Sequence, residues 1–137
     1  MKNPKRALKK ILVVEDESVI QTLVQRAIDP MKCRVISVGS IQEGKEQIDQ
    51  ADFDLLVADL RLPDGSGVET IRHFKTRCPG ASVIIITGSL TPEERLKQVE
   101  DLKISDCIFK PFELQVLRKA VHAALWREPM PDSASLP

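Results

Sequence analysis

Two apolar rhythms alternate along the chain. Short strand-like runs give way five times to stretches whose apolar residues recur three and four positions apart. "ILVV", Ile11 to Val14, is followed by Ile20, Leu23, Val24, Ala27 and Ile28, one face of a helix that Pro30 ends. "CRVISV" is a half-polar strand, and the next helix opens on Ser40 with Glu43 three residues on, a capping-box pattern. "DLLVAD" predicts a strand, "GVETIRHFK" a helix and "SVIIIT" the most buried strand of the chain. Thr91, Pro92 and Glu94 then supply the N-cap, the N1 proline and the N3 glutamate of a fourth helix. The short strand "CIF" and a fifth helix, with Leu114, Leu117, Val121, Ala124 and Leu125 on one face, complete the pattern.

Strict βα alternation predicts a parallel sheet with helices on both faces, a doubly wound three-layer α/β/α fold. "ILVV", "LLVA" and "VIIIT" are apolar throughout, as strands covered on both faces must be, whereas mixed "CRVISV" and short "CIF" belong at the edges. That ranking fits a five-stranded sheet in the flavodoxin-like order 2-1-3-4-5. A barrel would need eight such units.

The 137 residues predict one domain, large enough to bury ~70% of its unfolded surface. Residues 1–8 read as a basic arm, 9–126 as the domain and 127–137, with three prolines, as a flexible tail. Zero net charge announces no nucleic-acid binder. Cys33, Cys78 and Cys107 lack any metal-ligand spacing and read as reduced thiols. No apolar run approaches the ~20 residues of a membrane span and no signal peptide precedes the domain, so the expected location is cytoplasmic.

In such a sheet the carboxyl ends of the strands share one rim, where sites form. The residues expected there are Glu15 and Asp16 after the first strand, Asp59 after the third, Thr87 after the fourth and Lys110 after the fifth. Converging carboxylates raise one another's pKa unless a cation sits among them, and oxygen ligands on loops suit Mg²⁺. Glu17 reads as a helix-start charge complementing the dipole. The loop after the first strand has neither GxGxxG nor GxxxxGK[ST], which excludes dinucleotide and P-loop phosphate sites. Taken singly, each rim residue is an ordinary cap, turn or surface charge; only their ordered placement at strand ends carries chemistry. His73 and His122 fall on helices away from the rim and read as surface residues.

The pair Glu15-Asp16, "DLRLPDGSG" from Asp59, "ITG" around Thr87 and "KPF" from Lys110 together resemble the receiver domain of two-component response regulators, over about Lys9 to Trp126. The resemblance implies that Asp59 accepts a phosphoryl group from a phosphohistidine of a sensor histidine kinase or phosphotransfer protein. It implies that Mg²⁺ is held by Glu15, Asp16, Asp59 and the backbone carbonyl of Arg61, that Lys110 pairs with the phosphoryl oxygens and that Thr87 hydrogen-bonds to them. The bond from Lys110 to Pro111 is expected to be cis, and the glycines of "LPDGSG" are expected to allow positive φ.

Receivers commonly carry Tyr or Phe three residues before the lysine, where this chain has Cys107, so the fourth helix and Thr87 are expected to carry the switch. Output is expected through the fourth helix, fifth strand and fifth helix, with Val116, Ala123 and Trp126 as the surface offered to a downstream protein or a second copy. On the fourth helix Leu96, Val99 and Leu102 make only a narrow apolar stripe. With no room for an output domain after Trp126, the chain reads as a stand-alone regulator and, beyond its own phosphorylation and dephosphorylation, not as an enzyme. A receiver-like docking module would lack the acceptor or the lysine, and both are present. A Toprim-type Mg²⁺-dependent phosphoryl-transfer domain needs DxD where Arg61 stands third.

Overall fold

Five β-favouring runs form one parallel sheet in the computed structural model, which describes residues 8–90 and 102–126. The strands are β1 (Lys10–Val14), β2 (Arg34–Val38), β3 (Leu55–Asp59), β4 (Ser82–Thr87) and β5 (Asp106–Phe109), in the order β2-β1-β3-β4-β5. Every residue of β3 and β4 is buried, while edge strands β2 and β5 alternate between covered and exposed positions. Hydrophobic density in the sequence therefore translates directly into position in the sheet.

Side chains of a strand point alternately to its two faces, which divides the core in two. Leu12, Val14, Leu56, Ala58, Val83 and Ile85 pack against α2 (Ile41–Gln50) and α3 (Val68–Arg77). Ile11, Val13, Leu55, Val57, Ile84 and Ile86 pack against α1 (Ser18–Ile28) and the C-terminal helix (Leu114–Leu125). Each helix presents the face its sequence period predicts: Val24, Ala27 and Ile28 of α1 and Leu117, Val121 and Leu125 of the C-terminal helix are buried. Cys78 fills the first of these cores, and Cys33 is half-buried against the second.

Local chemistry sets the helix ends. A 3₁₀ turn at Asp29–Met31 stops α1 at Pro30, and Lys32 takes the left-handed conformation (φ 56°) that turns the chain into β2. Ser40 Oγ accepts from the Glu43 N–H of α2 (3.1 Å), and Glu43 Oε1 accepts in return from the Gly39 N–H (3.0 Å). Two surface pairs run between α2 and α3, Lys45–Glu69 (3.3 Å) and Asp49–His73 (2.7 Å), and Asp52, just past α2, adds a third with Arg77 (3.6 Å). At such exposure each contributes less than ~1 kcal/mol and mainly sets the helix register.

The sequence pattern did not announce the small antiparallel hairpin between β3 and α3, Arg61–Leu62 paired with Gly65–Ser66. The predicted fourth helix, with Thr91, Pro92, Glu94, Leu96 and Val99, lies outside the described residues; Leu102, at its end, is buried in the α2–α3 side of the core.

Candidate functional site

Strand register assembles the rim. Val14 pairs with Ala58, so Glu15 follows on one strand beside Asp59 on the other. Asp59 pairs with Ile86, and Thr87 with Phe109, which sets Thr87 and Lys110 one step beyond on the neighbouring strands. The Glu15 N–H donates to the Val38 carbonyl (2.9 Å) and the Lys110 N–H to the Thr87 carbonyl (2.8 Å), extending the ladder by one residue at both places.

Three carboxylates converge on one ammonium. Lys110 Nζ lies 2.8 Å from Asp59 Oδ2, 2.8 Å from Glu17 Oε1 and 2.9 Å from Glu15 Oε1. Oxygens of Glu15, Glu17 and Asp59 all fall within 4.8 Å of one another. Glu15 is fully buried and Asp59 is 3% exposed, yet each keeps a backbone donor: the Glu17 N–H on Glu15 Oε2 (2.9 Å) and the Arg61 N–H on Asp59 Oδ1 (3.1 Å). Burial raises the Glu15 carboxyl above its usual range, and the Asp59 charge adds to this against the lowering pull of the Glu17 N–H and Lys110. Burial pulls Lys110 toward its neutral form, but the bonds to Asp59, Glu17 and Glu15 outweigh it and hold the lysine charged.

The donor set fits a hard divalent cation. When all are ionised, three negative charges and one positive leave −2 at the rim, and every ligand atom is oxygen. Glu15 Oε1 is fully buried, and the contact it makes among the described residues is with the Lys110 ammonium at 2.9 Å. One ammonium shared among three carboxylates leaves negative charge uncompensated at this buried oxygen, which a metal ion would neutralise.

The gathered acids differ from the expected pair at one position. Asp16 is exposed and outside the converging group, whereas Glu17 belongs to it. Glu17 is the N-cap residue of α1 by backbone, but its carboxylate makes no cap hydrogen bond and reaches Lys110 instead. The expected helix-dipole role is thus replaced by an ion pair at the rim. Sequence gave no direct signal for it beyond the third consecutive acid.

The remaining sites fall as follows. Thr87 is fully buried, its hydroxyl donating to the Ser89 carbonyl (3.3 Å). Arg61 pairs with Ser66 across the hairpin, and Lys110–Pro111 is cis. Of the "LPDGSG" glycines, only Gly65 has positive φ (139°). Gly67 is needed for space: a Cβ there would lie 1.9 Å from the Asp59 carbonyl oxygen. Cys107 is half-buried in β5. Val116, Ala123 and Trp126 are all exposed, and Trp126 stacks at 5.2 Å on His122, also at the surface. Phe109, 40% exposed, joins Cys107, Pro111, Phe112 and Val116 around a shallow surface cavity of about 360 Å³. His73 on α3 is held by Asp49 of α2 (2.7 Å), at the surface.

Residues 11–122 match the family model of the response regulator receiver domain. The chain belongs to this family. The receiver is 35% identical over 120 residues to the response regulator protein PilR of Pseudomonas aeruginosa, covering 85% of this chain and 26% of PilR. It is 29% identical to the KDP operon transcriptional regulatory protein KdpE of Escherichia coli, covering 85% of this chain and 51% of KdpE. It thus spans about a quarter to a half of the length of these relatives. Among solved structures, a CheY-like receiver domain protein from Methanospirillum hungatei superposes with TM-score 0.81 at 25% identity, covering 87% of this chain and 94% of that one. The BeF₃-activated DrrB receiver domain superposes with TM-score 0.76 at 30% identity, covering 86% and 97%. The protein is therefore a two-component signalling receiver, and acceptance of phosphate on an aspartate is what its family implies. Receivers of this family interact with histidine kinases or phosphotransfer proteins and bind Mg²⁺ at an acidic site. Among the described residues no helix is long and apolar enough to cross a membrane.

Proposed function

We propose that Asp59 is the phosphoacceptor of this receiver. The observation that carries the reading is the convergence of Asp59, Glu15 and Glu17 on the Lys110 ammonium at the carboxyl rim of the sheet. One Asp59 carboxylate oxygen attacks phosphorus; the new O–P bond forms as the P–N bond of the donor phosphohistidine breaks, and the imidazole leaves with the electron pair. Asp59 is a weak nucleophile, so the site's work is positioning and neutralisation. The Arg61 N–H and Lys110 orient its two oxygens, and the permanently charged Lys110 offsets the incoming negative charge. Thr87, one residue past Asp59 in register, hydrogen-bonds to the phosphoryl group once it is transferred.

Glu15, Asp59 and the Arg61 carbonyl, with Glu17 as an added carboxylate, would hold Mg²⁺, and Asp16, exposed beside them, would join the cup by turning inward. Bound there, the ion neutralises charge on the transferring phosphoryl oxygens. The phosphate donor is a sensor histidine kinase or phosphotransfer protein, and the domain promotes its own phosphorylation and dephosphorylation. The signal leaves through the expected fourth helix, which lies outside the described residues, β5 and the C-terminal helix, with Val116, Ala123 and Trp126 facing a downstream protein or a second copy, and the protein works in the cytoplasm.

Incubation with acetyl phosphate and Mg²⁺ should add one phosphate by intact mass, and none with EDTA. The DrrB receiver, 30% identical, is known in a BeF₃-activated state, so beryllofluoride binding gives a second readout. Equal labelling of Asp59→Asn would overturn the assignment.

A further inference from the structure

The tip of the hairpin that follows Asp59 is tied to another helix. Pro63 and Asp64 form the turn between Arg61–Leu62 and Gly65–Ser66. From that turn the Asp64 carboxylate reaches the start of α2. Its Oδ1 accepts from the Ile41 N–H (2.9 Å) and its Oδ2 from the Gln42 N–H (3.1 Å). Both donors are among the first N–H groups of a helix, which lack partners within it and carry the positive end of its dipole. The contacts bridge 23 and 22 positions of sequence, so they act as a tertiary clasp rather than a local turn. The bond from Ile41 first, then that from Gln42, holds the Asp64 carboxyl below the usual carboxylate range.

What the clasp holds is the backbone of the site. At the base of the hairpin the Arg61 N–H donates to Asp59 Oδ1, and Arg61 pairs with Ser66. At the tip Gly65 adopts φ 139°, and its Cα packs so near Ile41 that a Cβ there would sit 3.2 Å from Ile41 Cδ1. Gly67, closing the loop, donates to the Leu60 carbonyl (2.9 Å). Two short strands and a two-residue turn make a marginal hairpin on their own. Its base is set by Asp59 and its tip by α2, so the Arg61 backbone lies between two anchored ends.

We infer that Asp64 is a positioning residue: by clasping α2 it fixes the Arg61 backbone, and through it the oxygen cup that receives Mg²⁺ and orients Asp59. This deepens the reading of Asp59 as phosphoacceptor and rests on it. Asp64 touches neither metal nor phosphate. It acts as outer partners of metal ligands do, by removing freedom from a ligand-bearing backbone. Ser40 provides the control, because it caps the same helix terminus through the Glu43 N–H without touching the hairpin.

Mg²⁺ binding should be measured by calorimetry on the wild-type chain, Asp64→Ala and Ser40→Ala, with thermal unfolding to establish that each is folded. Asp64→Ala should weaken Mg²⁺ by about tenfold, the scale seen when outer partners of metal ligands are removed, and Ser40→Ala should leave it unchanged. Amide exchange across residues 61–66 should rise in Asp64→Ala alone. Unchanged Mg²⁺ affinity in Asp64→Ala overturns the inference while the phosphoacceptor reading stands. Equal weakening in both variants also overturns it, because helix-end stability would then be the cause. Failure of the wild-type chain to bind Mg²⁺ at all overturns the reading of the site and this inference with it.

Discussion

Replacing Lys110 with methionine removes the one ammonium that touches Glu15, Glu17 and Asp59. Methionine keeps most of the apolar stem, so the change is chiefly electrostatic. Two unit charges 4.8 Å apart repel by about 3.5 kcal/mol at an effective dielectric of ~20, and the three carboxylates make three such pairs. The gross repulsion, about 10 kcal/mol, is comparable with the whole stability of a domain, so the trio cannot stay fully ionised without a cation. Protonation of one acid and solvation of Glu17, whose side chain is 59% exposed, relieve most of it. The net loss expected in Lys110→Met at pH 8 without metal is about 2–4 kcal/mol, somewhat below that of breaking a wholly buried pair. For a chain of this size that is a fall in Tm of about 10 °C. Thermal unfolding in EDTA and in Mg²⁺, at pH 5 and pH 8, separates the contributions. The deficit should be largest in EDTA at pH 8, shrink at pH 5 as carboxyls protonate, and be largely recovered by Mg²⁺, which should stabilise the variant more than the wild type. A variant as stable as wild type in EDTA at pH 8, with equal gains from Mg²⁺, would refute the picture of three acids held by one lysine.

Two further outcomes follow from buried groups. Burial raises the Glu15 carboxyl above the usual carboxylate range, so the folded chain holds that proton at pH values where the unfolded chain releases it. Stability is therefore lost as pH rises through the folded value, and Glu15→Gln should gain Tm over wild type in EDTA, with a gap that widens from pH 4 to pH 8; a gap that narrows contradicts the assigned direction. Thr70 is fully buried in α3 with no partner for its hydroxyl among the described residues, so Thr70→Val, of the same shape, should stabilise by about 1 kcal/mol in urea unfolding, and a loss of that size would reveal a hydrogen bond.

The sheet was legible in the sequence because its determinants are local. Period-2 burial divides Leu12 and Val14 from Ile11 and Val13, and unbroken apolarity in "LLVA" and in Val83 to Ile86 identifies strands covered on both faces. Given parallel strands, Glu15, Asp59, Thr87 and Lys110 had to share one rim, since each follows the last apolar residues of its strand. Beyond the ladder that logic ends. Glu15 remains inside because its N–H still pairs with Val38, but the next two residues are placed by the turn, not by any period. The Glu17 N–H folds back on the Glu15 carboxylate, sending Asp16 outward and the Glu17 side chain to a lysine 93 positions away. Gly67 looked like a turn glycine, and only the fold shows that the Asp59 carbonyl occupies the space its Cβ would need. Asp64 carries no signal of its own in the sequence; only the packing of α2 against the hairpin gives its carboxylate two helix N–H groups. Periodicity encodes which face a residue takes within a strand or helix. Where loops from distant strands meet, the partner is chosen by packing, and no local pattern carries that information.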